Sequence, residues 1–245
     1  MEYEKEDSVF FLTSMGENSM RTIGKDDYLE AAQIFNWATK EHYILWFTGR
    51  LDRHRRTEVI LPRLVKKGKL KSYRYGKRFI YIAPRMGRNN RVYYNIEHGL
   101  ACTEGLVRIW RSKMDGIIIA ERHFRGLGSV PEWGIRFPNK KLLLYEHCSE
   151  NNFTHAGMIK GKVTKYLENL PDIESKYQGE GIVLFVLDVD RKRVESFVSR
   201  NKPIGEPFFF TDYQTFIKVP IGKQLSTTIY IWGVDGDTYP LTDHD

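Results

Sequence analysis

Two glutamates in the middle of the chain have the spacing of a divalent-metal site. Two strand-like segments, residues 131–137 and 141–146, flank a loop of three residues. If the two segments pair directly across this loop, counting back along both strands places Glu132 opposite Glu146 on one face of a hairpin. Opposed like charges repel, and Mg²⁺ removes the conflict because it accepts carboxylates together with phosphate oxygens and water. The pattern predicts Glu132 and Glu146 as the metal ligands and catalytic residues of a phosphodiester-cleaving site.

This prediction depends on the register of the hairpin. A change of one residue in the loop would place the two glutamates on opposite faces of the sheet. In that case they would be unrelated side chains without a shared cation. Both interpretations stay open at the level of the sequence.

The largest charge asymmetry lies in the first third of the chain. Between Arg50 and Arg91 there are fifteen lysines and arginines against Asp52 and Glu58, so this stretch carries +13; the whole chain carries +7, which leaves −6 for the rest. Such a distribution is typical of a surface that binds the phosphates of nucleic acid, and a solvated basic face without a partner is the alternative. The residues predicted to contact double-stranded DNA are Arg53, Arg55, Arg56, Arg63, Lys66, Lys67, Lys71, Arg74, Lys77 and Arg78.

Local patterns in this third predict helices followed by a hairpin. Apolar residues recur at helical spacing over Asp27–Lys40, and a second short helix follows at Tyr43–Phe47. Thr57 is a residue type that caps helices, and the helix it would cap should stop at Gly68. Leu70–Ile82 has the composition of two strands around a Gly-Lys turn. Together these elements predict a winged helix-turn-helix, with its last helix in the major groove and its hairpin on the DNA backbone.

The remaining residues alternate between strands and helices. Apolar strands are predicted at Asp115–Ala120 and Ile182–Leu187, and an amphipathic helix at Thr154–Leu170. This alternation predicts a mixed sheet. The expected fold class is α/β, or α+β overall, with the winged helix-turn-helix in residues 1–93 and the α/β domain in residues 94–245.

The composition excludes several classes of protein. Apolar residues make up 41% of the chain and charged residues 28%, as in folded rather than disordered proteins. No apolar run is long enough to cross a bilayer, and the charged start does not look like a signal peptide. Cys102 and Cys148 lack metal-ligand spacing, which excludes a zinc finger and fits a reducing compartment. We therefore expect a cytoplasmic protein without a membrane partner.

Several residues also follow one another in a recognisable order. After the basic segment come His98 at the start of a helix, Glu121-Arg122 after a strand, Pro131-Glu132, Glu146-x-Cys148 and Lys162-x-x-x-Tyr166. This series spans about residues 28–235 and resembles the replication-relaxation family, whose members are associated with plasmids and other mobile elements. The ordered series carries the resemblance, and no single motif does.

The second domain of that family is similar to the PD-(D/E)xK core of restriction endonucleases. By position, Pro131-Glu132 matches the PD, with a longer acid, and Glu146-x-Cys148 matches the (D/E)xK. Cys148 departs from the pattern, because a neutral thiol supplies no positive charge to activate water. The resemblance implies that Lys162 reaches the site from the next helix as the third catalytic residue. The alternative is that Lys162 is a surface lysine.

Three functions are compatible with these patterns. The first is a DNA-binding accessory protein in replication, relaxation or transfer of a plasmid or other mobile element, with a nuclease-like domain that is active or degenerate. The second is an active Mg²⁺-dependent endonuclease, and the third is a winged-helix transcriptional regulator. The expected partners are double-stranded DNA and other replication or transfer proteins, a homodimer is left open, and Mg²⁺ is the cofactor that the glutamates suggest.

Overall fold

The computed structural model describes residues 23–35, 37–48, 53–84, 96–112, 116–150, 153, 156–200, 207–220, 230–232 and 238–240. These residues form a mixed α/β protein, as the sequence predicted. The chain divides into two compact units, an N-terminal unit within Ser19–Ser112 and a C-terminal unit within Lys113–Asp245.

The described part of the N-terminal unit contains four helices and one small sheet. The helices are α1 (Lys25–Ile34), α2 (Lys40–Thr48), α3 (Arg55–Lys66) and α4 (Ile96–Ser112). The strands are β1 (Ala38–Thr39), β2 (Lys71–Tyr75) and β3 (Arg78–Ile82). They form an antiparallel sheet in the order β1-β3-β2.

Helix α1 is shorter than the predicted helix Asp27–Lys40. It ends at Ile34, and Phe35 already has extended backbone angles (φ −75°, ψ 123°). The next residues form strand β1, which pairs with β3. Pairing with a strand far along the chain thus overrides the helical spacing of the apolar residues here, and the predicted length was wrong.

Helix α3 begins before its predicted cap. His54 is the N-cap, and Thr57 lies inside the helix, where it is 1% exposed and its Oγ1 is 2.8 Å from the hydroxyl oxygen of Tyr28. Thr57 therefore joins α3 to α1, and its prediction as a cap was wrong. The other end is as predicted, because Gly68 follows the helix with φ +66°, a conformation that glycine adopts at low cost.

Strands β2 and β3 form the predicted hairpin. Tyr75 pairs with Arg78, which leaves Gly76 and Lys77 as the loop. Gly76 has φ +56°, and a positive φ at the first loop residue is what a type II′ turn requires. Ile80 of β3 is fully buried, so the hairpin is anchored in the core of the N-terminal unit.

Helix α4 belongs to the N-terminal unit, so the domain boundary expected between residues 93 and 94 is misplaced. Trp110 of α4 stacks on Trp46 of α2, with ring centroids 5.4 Å apart. The Glu104 carboxylate lies 3.0 Å from Nε2 of His42 and accepts a hydrogen bond from Arg108. Burial alone would raise the pKa of Glu104, but these two partners lower it to about 2. The stacked rings and the contact between Glu104 and His42 hold α4 to α2.

The C-terminal unit is built on a sheet that has seven strands among its described residues. They are β4 (Ile117–Ala120), β5 (Trp133–Arg136), β6 (Lys141–Cys148), β7 (Glu180–Leu187), β8 (Phe208–Asp212), β9 (Tyr230–Trp232) and β10 (Thr238–Pro240). Their order is β10-β9-β8-β7-β6-β5-β4; the pairs β6–β7 and β7–β8 are parallel and the others antiparallel. The helices are α5 (Ala156–Tyr177), α6 (Arg191–Arg200) and α7 (Tyr213–Lys218).

Helix α5 packs on the middle of this sheet. Val163, Tyr166 and Leu170 of α5 belong to one buried cluster with residues of β6, β7 and β8. In that cluster the rings of Phe185 and Phe210 stack with centroids 5.1 Å apart. The side chains that α5 turns toward β6 are therefore held in a dense apolar environment. Across the ranges described above, no helix has the length and apolar character needed to cross a membrane.

Candidate functional site

Glu132 lies immediately before strand β5, and Glu146 lies in its hairpin partner β6. Trp133 pairs with Tyr145, and the N–H of Glu132 donates to the carbonyl of Tyr145 (3.0 Å). Glu132 therefore bonds to Tyr145 and is not directly opposed to Glu146, although it is near enough for its charge to raise the pKa of Glu146. The ladder ends at Trp133 and Tyr145, so the predicted pairing of Glu132 with Glu146 lies beyond its paired residues.

Glu146 is the centre of a buried polar cluster in the C-terminal unit. Its residue is 2% exposed, its Oε1 accepts a hydrogen bond from the Tyr166 hydroxyl (2.8 Å), and its Oε2 forms an ion pair with the ammonium of Lys162. Lys162 and Tyr166 are four residues apart on α5, so both extend toward β6. The structure thus brings the ammonium of Lys162 to Glu146, while the Lys162 side chain stays 33% exposed.

The electrostatics of the cluster favour a closed ion pair. Burial raises the pKa of Glu146; the ammonium of Lys162 opposes this rise and the charge of Glu132 adds to it. For Lys162, burial alone would lower the pKa, but the Glu146 carboxylate raises it above its ordinary value. Burial also raises the pKa of Tyr166, so its hydroxyl remains a donor. Glu146 therefore has its counter-ion within the protein.

Cys148 lies two residues beyond Glu146 on the same strand. It is 1% exposed, and burial raises the pKa of its thiol to about 12. The thiol is therefore protonated and neutral at physiological pH. Cys148 does not replace the missing motif lysine, which agrees with the sequence analysis.

A divalent cation fits this cluster poorly. Both carboxylate oxygens of Glu146 already accept from donors on α5, and one of them contacts the positive charge of Lys162. Mg²⁺ keeps several waters when it binds to a protein, whereas Glu146 is enclosed between strand and helix. Ligation by Glu132 and Glu146 would require Lys162 to move away from Glu146.

Sequence reasoning missed Tyr166 as a member of the cluster. The spacing Lys162-x-x-x-Tyr166 carried a usable signal, because side chains four apart on a helix share one face. A buried tyrosine hydroxyl needs a polar partner, and the strand residue Glu146 is the acceptor that the fold supplies.

The ten residues predicted to bind DNA are accessible in the N-terminal unit. Nine are exposed, and Lys71 is partly exposed. Within the part of the chain that the structure describes, none of the ten forms a salt bridge. Glu58, the acid of α3, contacts Lys40 (2.8 Å) and His54 instead. The positive charge of these ten residues, called the basic surface below, is therefore not neutralised by salt bridges among the described residues.

Helix α3 separates its apolar residues from its basic ones. One side is buried and consists of Thr57, Ile60, Leu61 and Leu64. At 3.6 residues per turn, four cations fall within about 100° of one another on the other side: Arg55, Arg56, Arg63 and Lys66. The cations of α3 thus share one solvent-facing side. Arg50, Arg85, Arg88 and Arg91, which contribute to the charge of +13, lie outside the described residues.

Three large apolar side chains on the same elements are exposed, and Tyr75 of β2 is one of them, at 38%. Val59 of α3 is 46% exposed, and Phe79 of β3 is 56% exposed. Phe79 lies directly across the hairpin from Arg74. The position of Val59 could have been read from its spacing, because it lies four residues from both Arg55 and Arg63.

Comparisons of the chain with models of known protein families, with curated proteins and with solved structures find no match. The resemblance to the replication-relaxation family consequently remains a prediction that the ordered residues carry. The function is argued below from the residues themselves.

Proposed function

We propose that this protein binds double-stranded DNA through the basic surface and acts as an accessory protein in replication, relaxation or transfer of a mobile element. The observation that carries the proposal is the exposure of nine of its ten cations without a salt bridge among the described residues. In this proposal α1, α2, α3 and the β2–β3 hairpin form a winged helix-turn-helix, with α3 in the major groove and the hairpin on the backbone.

The arrangement of charges suits a duplex. The cations of α3 share one side of a helix, and a helix is the element that the major groove admits. The hairpin adds Arg74, Lys77 and Arg78, which are all exposed. If about six of the cations neutralise phosphates, the released counter-ions supply most of the binding free energy.

Fluorescence anisotropy with a labelled duplex of mixed sequence tests the proposal. We expect saturable binding at low salt, and the same experiment with a neutral polymer of similar size gives none. Absence of binding to the duplex at low salt would contradict the proposal. Footprints with two symmetric half-sites about 10 base pairs apart would point instead to a dimeric transcriptional regulator.

We assign the C-terminal unit a structural or partner-binding part in this function, as a degenerate nuclease-like domain. The support is the ion pair of Glu146 with Lys162, together with the neutral thiol at Cys148. These residues stabilise a packed helix and strand without any need of a cation. Other replication or transfer proteins are the partners that such a domain would hold.

An active endonuclease is the second candidate; it is supported by the ion pair of Lys162 with Glu146 and by the effect of the Glu132 charge on the pKa of Glu146. In an active site the two carboxylates would hold Mg²⁺, which would polarise the phosphate, and Lys162 would orient water. Incubation of a supercoiled plasmid with the protein and Mg²⁺ tests this candidate. We expect no nicking from the wild type; nicking that disappears in Glu132→Ala would support the enzyme and refute the degenerate site.

A further inference from the structure

We infer that Val59 is a specificity-determining residue, which contacts the C5-methyl group of a thymine in the major groove. The inference rests on the proposed binding of duplex DNA and adds that α3 reads sequence as well as charge. It starts from the position of Val59 in the middle of the basic side of α3. Arg55 lies one turn before it and Arg63 about one turn after it.

Exposed apolar side chains are concentrated on the elements that carry the cations. Among the described residues six large apolar side chains are exposed, and three of them belong to α3 and the hairpin: Val59, Tyr75 and Phe79. A single exposed apolar residue needs no explanation, but a group of three among ten cations does. Valine also has a lower helix propensity than the charged residues that usually cover a helix surface. The residue type at position 59 is therefore explained neither by burial nor by helix formation.

The chemistry of valine limits what it can contact on DNA. Its side chain has no donor or acceptor, so it gains nothing at a phosphate. In the major groove the thymine C5-methyl is the apolar group that distinguishes one base pair from the others. Val59 is short, whereas Arg55 and Arg63 are long and flank it. A helix inserted so that Val59 reaches a methyl group leaves both arginines free to reach neighbouring base edges or phosphates.

The test begins with selection of bound molecules from duplexes that contain a randomised segment of about 16 base pairs, wide enough for a helix in the groove and its flanks. Each thymine of the selected duplex is then replaced in turn by deoxyuridine, which lacks only the methyl group. We expect one position at which this change weakens wild-type binding about fourfold, the effect of losing one buried methyl-sized contact. Val59→Ser should bind the thymine and the uracil duplex equally.

Leu167→Ser is the matched control, because Leu167 is an exposed apolar residue of α5 in the other unit. This variant should keep the fourfold preference for thymine. Salt-dependent binding without a selected sequence, or with a selected sequence at which no thymine methyl matters, would overturn the inference and leave the proposed function intact. Retention of the preference in Val59→Ser would also overturn it. Absence of any DNA binding would overturn the proposed function itself.

Discussion

Replacement of Arg55, Arg63 and Lys66 by alanine is expected to lower the affinity for duplex DNA about a hundredfold at 0.15 M salt. These residues lie on the exposed side of α3, and none forms a salt bridge within the described residues. Each lost phosphate contact removes about 0.9 from the slope of log K against log salt, so three contacts reduce the slope by roughly 3. Alanine has the highest helix propensity, so α3 should remain folded.

The control for this variant removes three exposed lysines from the other unit, by Lys160→Ala, Lys165→Ala and Lys192→Ala. Its net charge changes by the same amount, and its affinity should stay within about threefold of the wild type, as expected for charges that do not contact the phosphates. Equal losses in both variants would show that overall charge, and not the basic surface, determines binding.

Replacement of Lys162 by methionine is expected to lower the free energy of unfolding by about 3 kcal/mol at neutral pH. Methionine keeps the length of the side chain but leaves the Glu146 carboxylate buried without its counter-ion. A buried charge without a partner costs far more than a surface ion pair contributes. Urea denaturation followed by circular dichroism measures the difference.

The cost of Lys162→Met should depend on pH. Without the ammonium, only the hydrogen bond from Tyr166 opposes the effect of burial, so the pKa of Glu146 rises further above its unfolded value. A raised folded pKa gives stability that is present below the unfolded pKa and is lost as the pH rises through the folded one. Near pH 4 the free energy of unfolding of the variant should therefore be close to that of the wild type. The difference should grow as the pH increases toward neutrality.

Two comparisons separate the buried pair from a surface effect. Lys165→Met changes an exposed lysine on the same helix. It should lower the free energy of unfolding by less than about 0.5 kcal/mol. Combining Lys162→Met with Glu146→Leu and Tyr166→Phe removes the whole polar cluster and should recover most of the lost stability. A cost below about 1 kcal/mol for Lys162→Met alone would mean that Lys162 acts only as an exposed lysine.

Features set by nearby residues were predictable from the sequence. The β5–β6 register follows from strand alternation and a short loop. The stop of α3 at Gly68 and the turn at Gly76 follow from the conformations that glycine allows. These predictions needed no knowledge of distant parts of the chain.

Features set by distant partners were not predictable in the same way. The early end of α1 depends on the pairing of β1 with β3, and the role of Thr57 depends on Tyr28. The domain boundary depends on the stacking of Trp110 on Trp46, which joins α4 to the unit before it. The contact of Lys162 with Glu146 also required the packing of α5 on β6, which helical periodicity alone does not give.

The salt dependence of duplex binding tests the central claim most directly. The affinity of the wild type for a duplex of about 25 base pairs is measured from 50 to 300 mM salt, concentrations at which counter-ion release dominates non-specific binding. If about six cations of the basic surface contact phosphates, log K falls against log salt with a slope of roughly −5. A slope near zero would show that the exposed arginines and lysines of α3 and the hairpin do not bind the DNA backbone.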